Sequence, residues 1–122
     1  MIKILLAIFL GGGLGSISRF AISYSITGGF KNINPVATII ANIAATIILG
    51  TVLFLTAGKH QLSEGWVAFL AVGFCGGFST FSTFSYEIYE LIRINSYGFA
   101  VMNLLLSIGL GVGVLFFLSK VL

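Results

Sequence analysis

Aspartate is absent from this 122-residue chain, and only Glu64, Glu87 and Glu90 carry negative charge. Charged residues amount to 7%, where a soluble domain carries about a quarter. So little charge excludes an ordinary water-soluble domain. Cys75 is the single cysteine, which excludes an intrachain disulfide. His60 is the single histidine and falls in a short polar connection, so no His or Cys cluster offers a metal site, and no catalytic residues are expected. The six cations are scattered over loops and termini. They form no basic patch, which excludes nucleic-acid binding.

What the chain does contain is apolar length. Hydrophobic residues make up 58% of it. A bilayer core about 30 Å thick needs roughly 20 apolar residues per helical span. Four such stretches occupy about 4–26, 35–57, 65–92 and 97–118, separated by "TGGFKNIN", "GKHQLSE" and "RINS". The sequence therefore predicts an all-α membrane protein of four transmembrane helices, a single domain over 1–122, with both termini on one side. Lys3 followed by "ILLAIFL" suits a signal peptide, but the apolar run continues past the usual length of one.

Orientation normally follows an excess of Lys and Arg on cytoplasmic loops. The side holding the termini receives Lys3, Lys59 and Lys120, and the other receives Lys31, Arg93 and Arg19. Three against three gives no bias. This balance is either a weak signal in a short chain or, the reading favoured here, the mark of a dual-topology chain that inserts both ways and pairs as an antiparallel homodimer. Gly11 with Gly15, and Gly109 with Gly113, are spaced for close helix packing.

Polar groups in the spans are costly and usually face protein or water. Thr38, Asn42 and Thr46 recur every four residues on the second helix, as do Asn103 and Ser107 on the fourth. The threonines suit hydrogen bonds between helices. The third stretch contains "GFCGGFSTFSTFSYE", whose glycines weaken a helix by about 1 kcal/mol each relative to Ala. A break is expected near Gly76–Ser79, at mid-membrane, where irregular backbone is tolerated only if buried or lining a cavity. Its freed carbonyls are hard oxygen ligands suited to a small cation. Phe81 and Phe84 then share one helix face. Their ring edges carry partial positive charge that can face an anion, and Ser82, Thr83 and Ser85 add hydroxyls. Aromatics at this spacing otherwise pack as core. Arg19 and Glu87 approach the same side at similar depth, where Arg19 either pairs with Glu87 or snorkels to the interface.

"GGGLGSISRF", "NPVATIIANIAATIILG" and above all "GFCGGFSTFSTFSYE" resemble the Fluc family of small fluoride channels, over essentially the whole chain. The resemblance implies an antiparallel dual-topology dimer in a microbial plasma membrane, with two fluoride pores and a structural Na⁺ at the dimer centre. Phe81 and Phe84 resemble the pore-lining phenylalanines, and Asn42 the asparagine that coordinates fluoride. Ser82 and Thr83 match the hydroxyls beside the rings, and Gly76 and Ser79 the carbonyl positions that hold Na⁺. Arg19 matches the vestibule arginine and Glu87 the acid ending the motif, while Asn103 and Ser107 sit on the fourth-helix polar track. The second helix departs from the family pattern, with Ala37, Ala41, Ala45 and Thr46 in place of Gly, Val, Gly and Ser. Asn103 stands where some members have tyrosine. The alternative is a dual-topology proton-coupled exporter of organic cations, which wants a buried acid in its first helix. Arg19 is the only charge deep in that helix, and it has the wrong sign. A non-conducting membrane subunit is a third possibility, one that gives a broken helix no purpose.

Overall fold

Helix α1 (Ile2–Thr27) stops at Gly28, whose left-handed backbone (φ 70°) lets its N–H return to the Tyr24 carbonyl. A residue without Cβ takes that conformation at little cost. Helix α2 (Pro35–Ala57) starts where Asn34 accepts a hydrogen bond from the Val36 N–H at 2.9 Å. Pro35, in the first turn, lacks only an N–H that would have had no helical partner. The computed structural model describes residues 1–28, 34–58, 61–79 and 81–122. Lys31, Lys59 and His60, which entered the charge and ligand arguments above, lie outside the described residues.

The third stretch is composite. Ser63 caps α3 (Glu64–Val67), which runs into a π-helical segment, Ala68–Phe74, and then into α4 (Cys75–Phe78). Ser79 is extended (φ −113°, ψ 141°), and α5 (Phe81–Arg93) follows. Wide π turns occur mostly as short insertions, often beside functional sites. Asn95, in the left-handed region (φ 62°), turns the chain into α6 (Tyr97–Val121). Among the described residues, four helical spans are long and apolar enough to cross a membrane: Ile2–Ile26, Pro35–Ala57, Glu64–Arg93 and Tyr97–Val121. They agree with the sequence expectation to within a few residues at each end.

Backbone contacts fix how the spans run. A Cβ on Gly11 would strike the Phe69 carbonyl, and one on Gly15 the Phe74 carbonyl, so α1 and the third span are parallel. From the other side, a Cβ on Gly73 would lie 2.8 Å from the Ile8 carbonyl, and one on Gly77 would strike the Gly12 carbonyl. Glycine at all four positions lets two backbones touch, the usual basis of tight helix association in lipid. Gly73 and Gly77 are thus packing residues, a role that helix weakening alone did not reveal. On α2, Gly50 meets Leu115 and Leu118 of α6, while Thr46 meets Gly111, so these two helices are also parallel. Gly109 and Gly113, expected to pack, have nothing within 4 Å of a Cβ. Within the chain, Gly111 is the glycine of α6 that faces a neighbour, because it lies on the side turned to α2.

The core is made of small residues. Ala41, Ala45 and Phe78 pack together, with Ile22, Ala44 and Phe74 around them, and Phe74 stacks on Phe78 at 5.3 Å. Ala37, Ala41 and Ala45, the departures from the family pattern, are all buried. Cys75 is buried beside them and donates its thiol hydrogen to the Ala45 carbonyl at 3.4 Å. Contacts at Ala45–Cys75 and Thr38–Glu87 make α2 antiparallel to the third span. Both chain termini therefore lie at the same end of the four spans.

Candidate functional site

After Ser79 the chain re-enters a helix, and the first turn of α5 carries Phe81 and Phe84 on one side, ring centroids 6.3 Å apart. Opposite them, α2 presents Asn42 and Thr46, and α6 presents Ser107. These residues, with Ser79 and Ile108, line one cavity of about 300 Å³. Phe81 is 81% exposed in the single chain, so this wall of the cavity stands open. Thr46 donates its hydroxyl hydrogen to the Asn42 carbonyl at 2.7 Å. That bond leaves only lone pairs on the Thr46 oxygen and keeps the Asn42 carbonyl occupied.

A second cavity, about 220 Å³, adjoins the first through Thr46 and Ser79, and is lined also by Ala45, Cys75 and Gly76. Gly76 is exposed, with open space where a Cβ would be. The Ser79 hydroxyl donates to the Cys75 carbonyl at 3.2 Å, and the Ser79 N–H reaches the same oxygen at 3.1 Å. With the helix ending at Phe78, the later carbonyls of this turn have no helical donor within α4 itself.

Behind Ser107 lies a buried polar chain. Ser107 donates to the Asn103 side-chain oxygen at 3.1 Å. Asn103 is fully buried, 0% exposed, and its amide nitrogen has no partner. It lies against Glu87, which is 7% exposed and accepts from the Thr38 hydroxyl at 2.5 Å through one oxygen, while the other oxygen is unpartnered. The Nε of Arg19 is likewise buried without a partner, and Arg19 forms no ion pair with Glu87 among the described residues. A carboxylate inside a bilayer costs about 3 kcal/mol. Three incompletely satisfied groups in one neighbourhood set this place apart from the small-residue core.

The geometry thus collects Phe81, Phe84, Asn42, Ser79 and Ser107 around one cavity, and places Gly76 on its neighbour. Asn103, Glu87 and Arg19 stand behind it, whereas Ser82 and Thr83, on α5, are not among the described residues lining either space. Sequence reasoning assigned Thr38 and Thr46 to helix bonding. Their four-residue spacing from Asn42 was the signal that would have placed Thr46 on the cavity. Nothing in the spacing showed that Thr38 serves Glu87.

Residues 6–118 match the family described as CrcB-like protein, Camphor Resistance (CrcB). The chain belongs to the CrcB family. Among CrcB relatives, the fluoride-specific ion channel FluC of Pyrococcus abyssi is 39% identical over 88% of this chain and 85% of its own length. Those of Gloeothece citriformis (44%, over 85% of this chain and 86% of its own) and Thermococcus onnurineus (40%, over 93% and 91%) carry the same name. With four apolar spans, this CrcB chain is a multi-pass protein of the plasma membrane.

Proposed function

We propose that the chain is a fluoride-selective ion channel that lets F⁻ leave the cell passively. One observation carries this reading: two phenylalanine rings and an asparagine side chain border the same cavity in an apolar span bundle. Ring edges and amide hydrogens are weak, neutral donors. They suit a small anion that must be held lightly enough to leave again. The names of the relatives point the same way. Arg19 supplies positive potential near one end of the path. Ser82 and Thr83 add hydroxyl donors beyond the rings, and Ser107 and Asn103 extend the polar track on α6.

The finer reading is an antiparallel homodimer with two pores, in which the third span is interrupted at mid-membrane. The exposed Phe81 ring supports it, since a second copy would close the open wall. So does the equal sharing of cations between the two sides of the membrane expected from the sequence. A Na⁺ at the dimer centre fits the donor set. Gly76 and Ser79 border one cavity at a helix end, where backbone carbonyls are neutral, hard oxygen ligands. Bound there, Na⁺ would supply fixed positive charge near both anion paths, and the two carbonyls of each copy would hold it.

Fluoride efflux from liposomes containing only this protein, followed with a fluoride electrode and with chloride as control, tests the function. Selective, voltage-driven fluoride flux without a proton gradient is expected. Flux that requires a proton gradient and an organic cation would support the exporter instead. C-terminal tags are expected on both sides of the membrane in comparable amounts, and activity from a strictly single orientation would sink the antiparallel arrangement. Replacing sodium with a much larger monovalent cation is expected to lower flux or dimer stability.

A further inference from the structure

We propose that the N-terminal ends of α1 and the third span form a binding site for one anionic phospholipid. The glycine crossing at Gly11 and Gly73 brings the two backbones into contact. Between their N-terminal ends they leave a wedge of about 440 Å³, bordered by Lys3, Leu6, Leu10, Ser63, Trp66 and Phe69. That volume is within the range of small-molecule sites, roughly 300–1,000 Å³.

The wedge has two chemical zones. Leu6, Leu10 and Phe69 make an apolar floor. Lys3, Ser63 and Trp66 stand at the outer end, at the start of their spans, where the interface with water belongs. Trp66 is held edge-on against Phe69, ring centroids 5.9 Å apart at 83°, and is more than half exposed. Its indole N–H is free to donate at headgroup level, as tryptophans at this depth do. The Ser63 oxygen accepts from the Trp66 backbone N–H at 3.4 Å, which leaves its hydroxyl hydrogen for another acceptor. Lys3 is in no ion pair among the described residues. Glu64, the nearest acid in sequence, is not among the residues bordering the wedge.

A cation and two neutral donors beside an apolar floor fit an amphiphile with a negative head. A soluble anion would leave Leu6, Leu10 and Phe69 uncovered, and a zwitterionic lipid would bring a second cation towards Lys3. A lipid phosphate with no compensating positive group, its acyl chain along Leu6 and Leu10, satisfies both zones. This site is independent of the fluoride reading and shares no lining residue with the cavity.

The test is native mass spectrometry of the detergent-purified protein titrated with phosphatidylglycerol, phosphatidylcholine of the same chains, or inorganic phosphate. One Lys near an anionic headgroup is worth about 1 kcal/mol, or about fivefold in affinity. Phosphatidylglycerol is expected to bind Lys3→Gln about fivefold more weakly than the unaltered protein, with phosphatidylcholine binding weak and unchanged. Ala7→Phe, which fills the wedge from its α1 wall, is expected to abolish binding of phosphatidylglycerol while Lys3 is still present. Both variants should keep their fluoride flux in neutral-lipid liposomes. Equal phosphatidylglycerol affinity in all three proteins would overturn the site, as would phosphate binding as tightly as the lipid. Loss of the dimer in Ala7→Phe would put a second copy in the wedge and equally overturn it.

Discussion

The third span shows two faces built on opposite rules. Towards α1 it offers Gly73 and Gly77, and the contact is backbone on backbone with no side chain between. Towards α2 and α6 it offers Ser79, Phe81, Phe84 and Glu87, and the contact is a cavity backed by polar groups that lack partners. In lipid, association has no hydrophobic driving force, so close approach and dispersion must hold the spans together. The α1 face supplies that hold. It frees the other face to carry groups that packing alone would reject.

The sharpest way to break this comparison is to put a Cβ into the α1 crossing. Gly15→Val would drive its side chain into the Phe74 carbonyl and the Phe78 N–H, neither of which can rotate away. The expected cost is about 3 kcal/mol or more. It should be seen as loss of monodisperse protein on extraction and a collapsed melting transition. Gly13→Val, on the same helix with open space at its Cβ position, should melt normally. Equal damage from both would mean that helix propensity, not the crossing, decides.

On the cavity face the effects separate function from stability. Phe81→Ile keeps bulk but removes the ring edge. Because the ring is largely exposed in the single chain, the melting midpoint of the fold should shift little, by about 0.5 kcal/mol or less. Fluoride flux should fall at least tenfold, about 1.4 kcal/mol in barrier. Asn42→Ala should also lower flux, by deleting the amide donors. Normal flux in both would make these residues packing groups and remove the observation on which the channel reading stands.

Span number and the polar stripe were legible because membrane length and helical periodicity are local properties of sequence. The glycine-rich stretch "CGGFS", which contains the extended Ser79, was legible as composition. The purpose of its glycines was not. Gly73 and Gly77 weaken a helix and also admit α1, and only the partner backbone distinguishes the two roles. The same limit applied to Gly109 and Gly113, whose spacing suits a close contact but which meet no neighbour within the chain, where Gly111 faces α2. The bond between Thr38 and Glu87 joins residues 49 positions apart, a distance over which no periodicity carries information.

That bond sets the next effect. Thr38→Val removes the hydroxyl that donates to Glu87 and preserves its shape. Glu87 would lose its one short hydrogen bond, leaving the Asn103 amide beside it as the remaining donor at hand. A buried acceptor stripped of its donor costs about 1–3 kcal/mol, and a drop of this size in thermal stability is expected. Thr38→Ser should restore it, since the hydroxyl is what matters. An unchanged melting midpoint in Thr38→Val would mean that the bond contributes nothing to the fold.

The smallest effect is expected on α6. Gly109 and Gly113 are both exposed, and a Cβ at either position meets nothing within 4 Å. The helix advantage of alanine over glycine, about 1 kcal/mol in water, is muted in a bilayer, where a spanning segment must be helical whichever of the two it carries. Gly109→Ala and Gly113→Ala, alone or together, should therefore leave fold stability within about 0.5 kcal/mol. Fluoride flux should be unchanged. Their value lies in what a failure would locate. If the double variant melts normally as a fold yet no longer sediments as a dimer, the small-residue face of α6 meets the second copy. The contact promised by the spacing would then exist between chains instead of within one. If it stays dimeric and active, that face meets lipid, and the proposed second copy sits against another surface, of which the one beside the exposed Phe81 ring is the first to test.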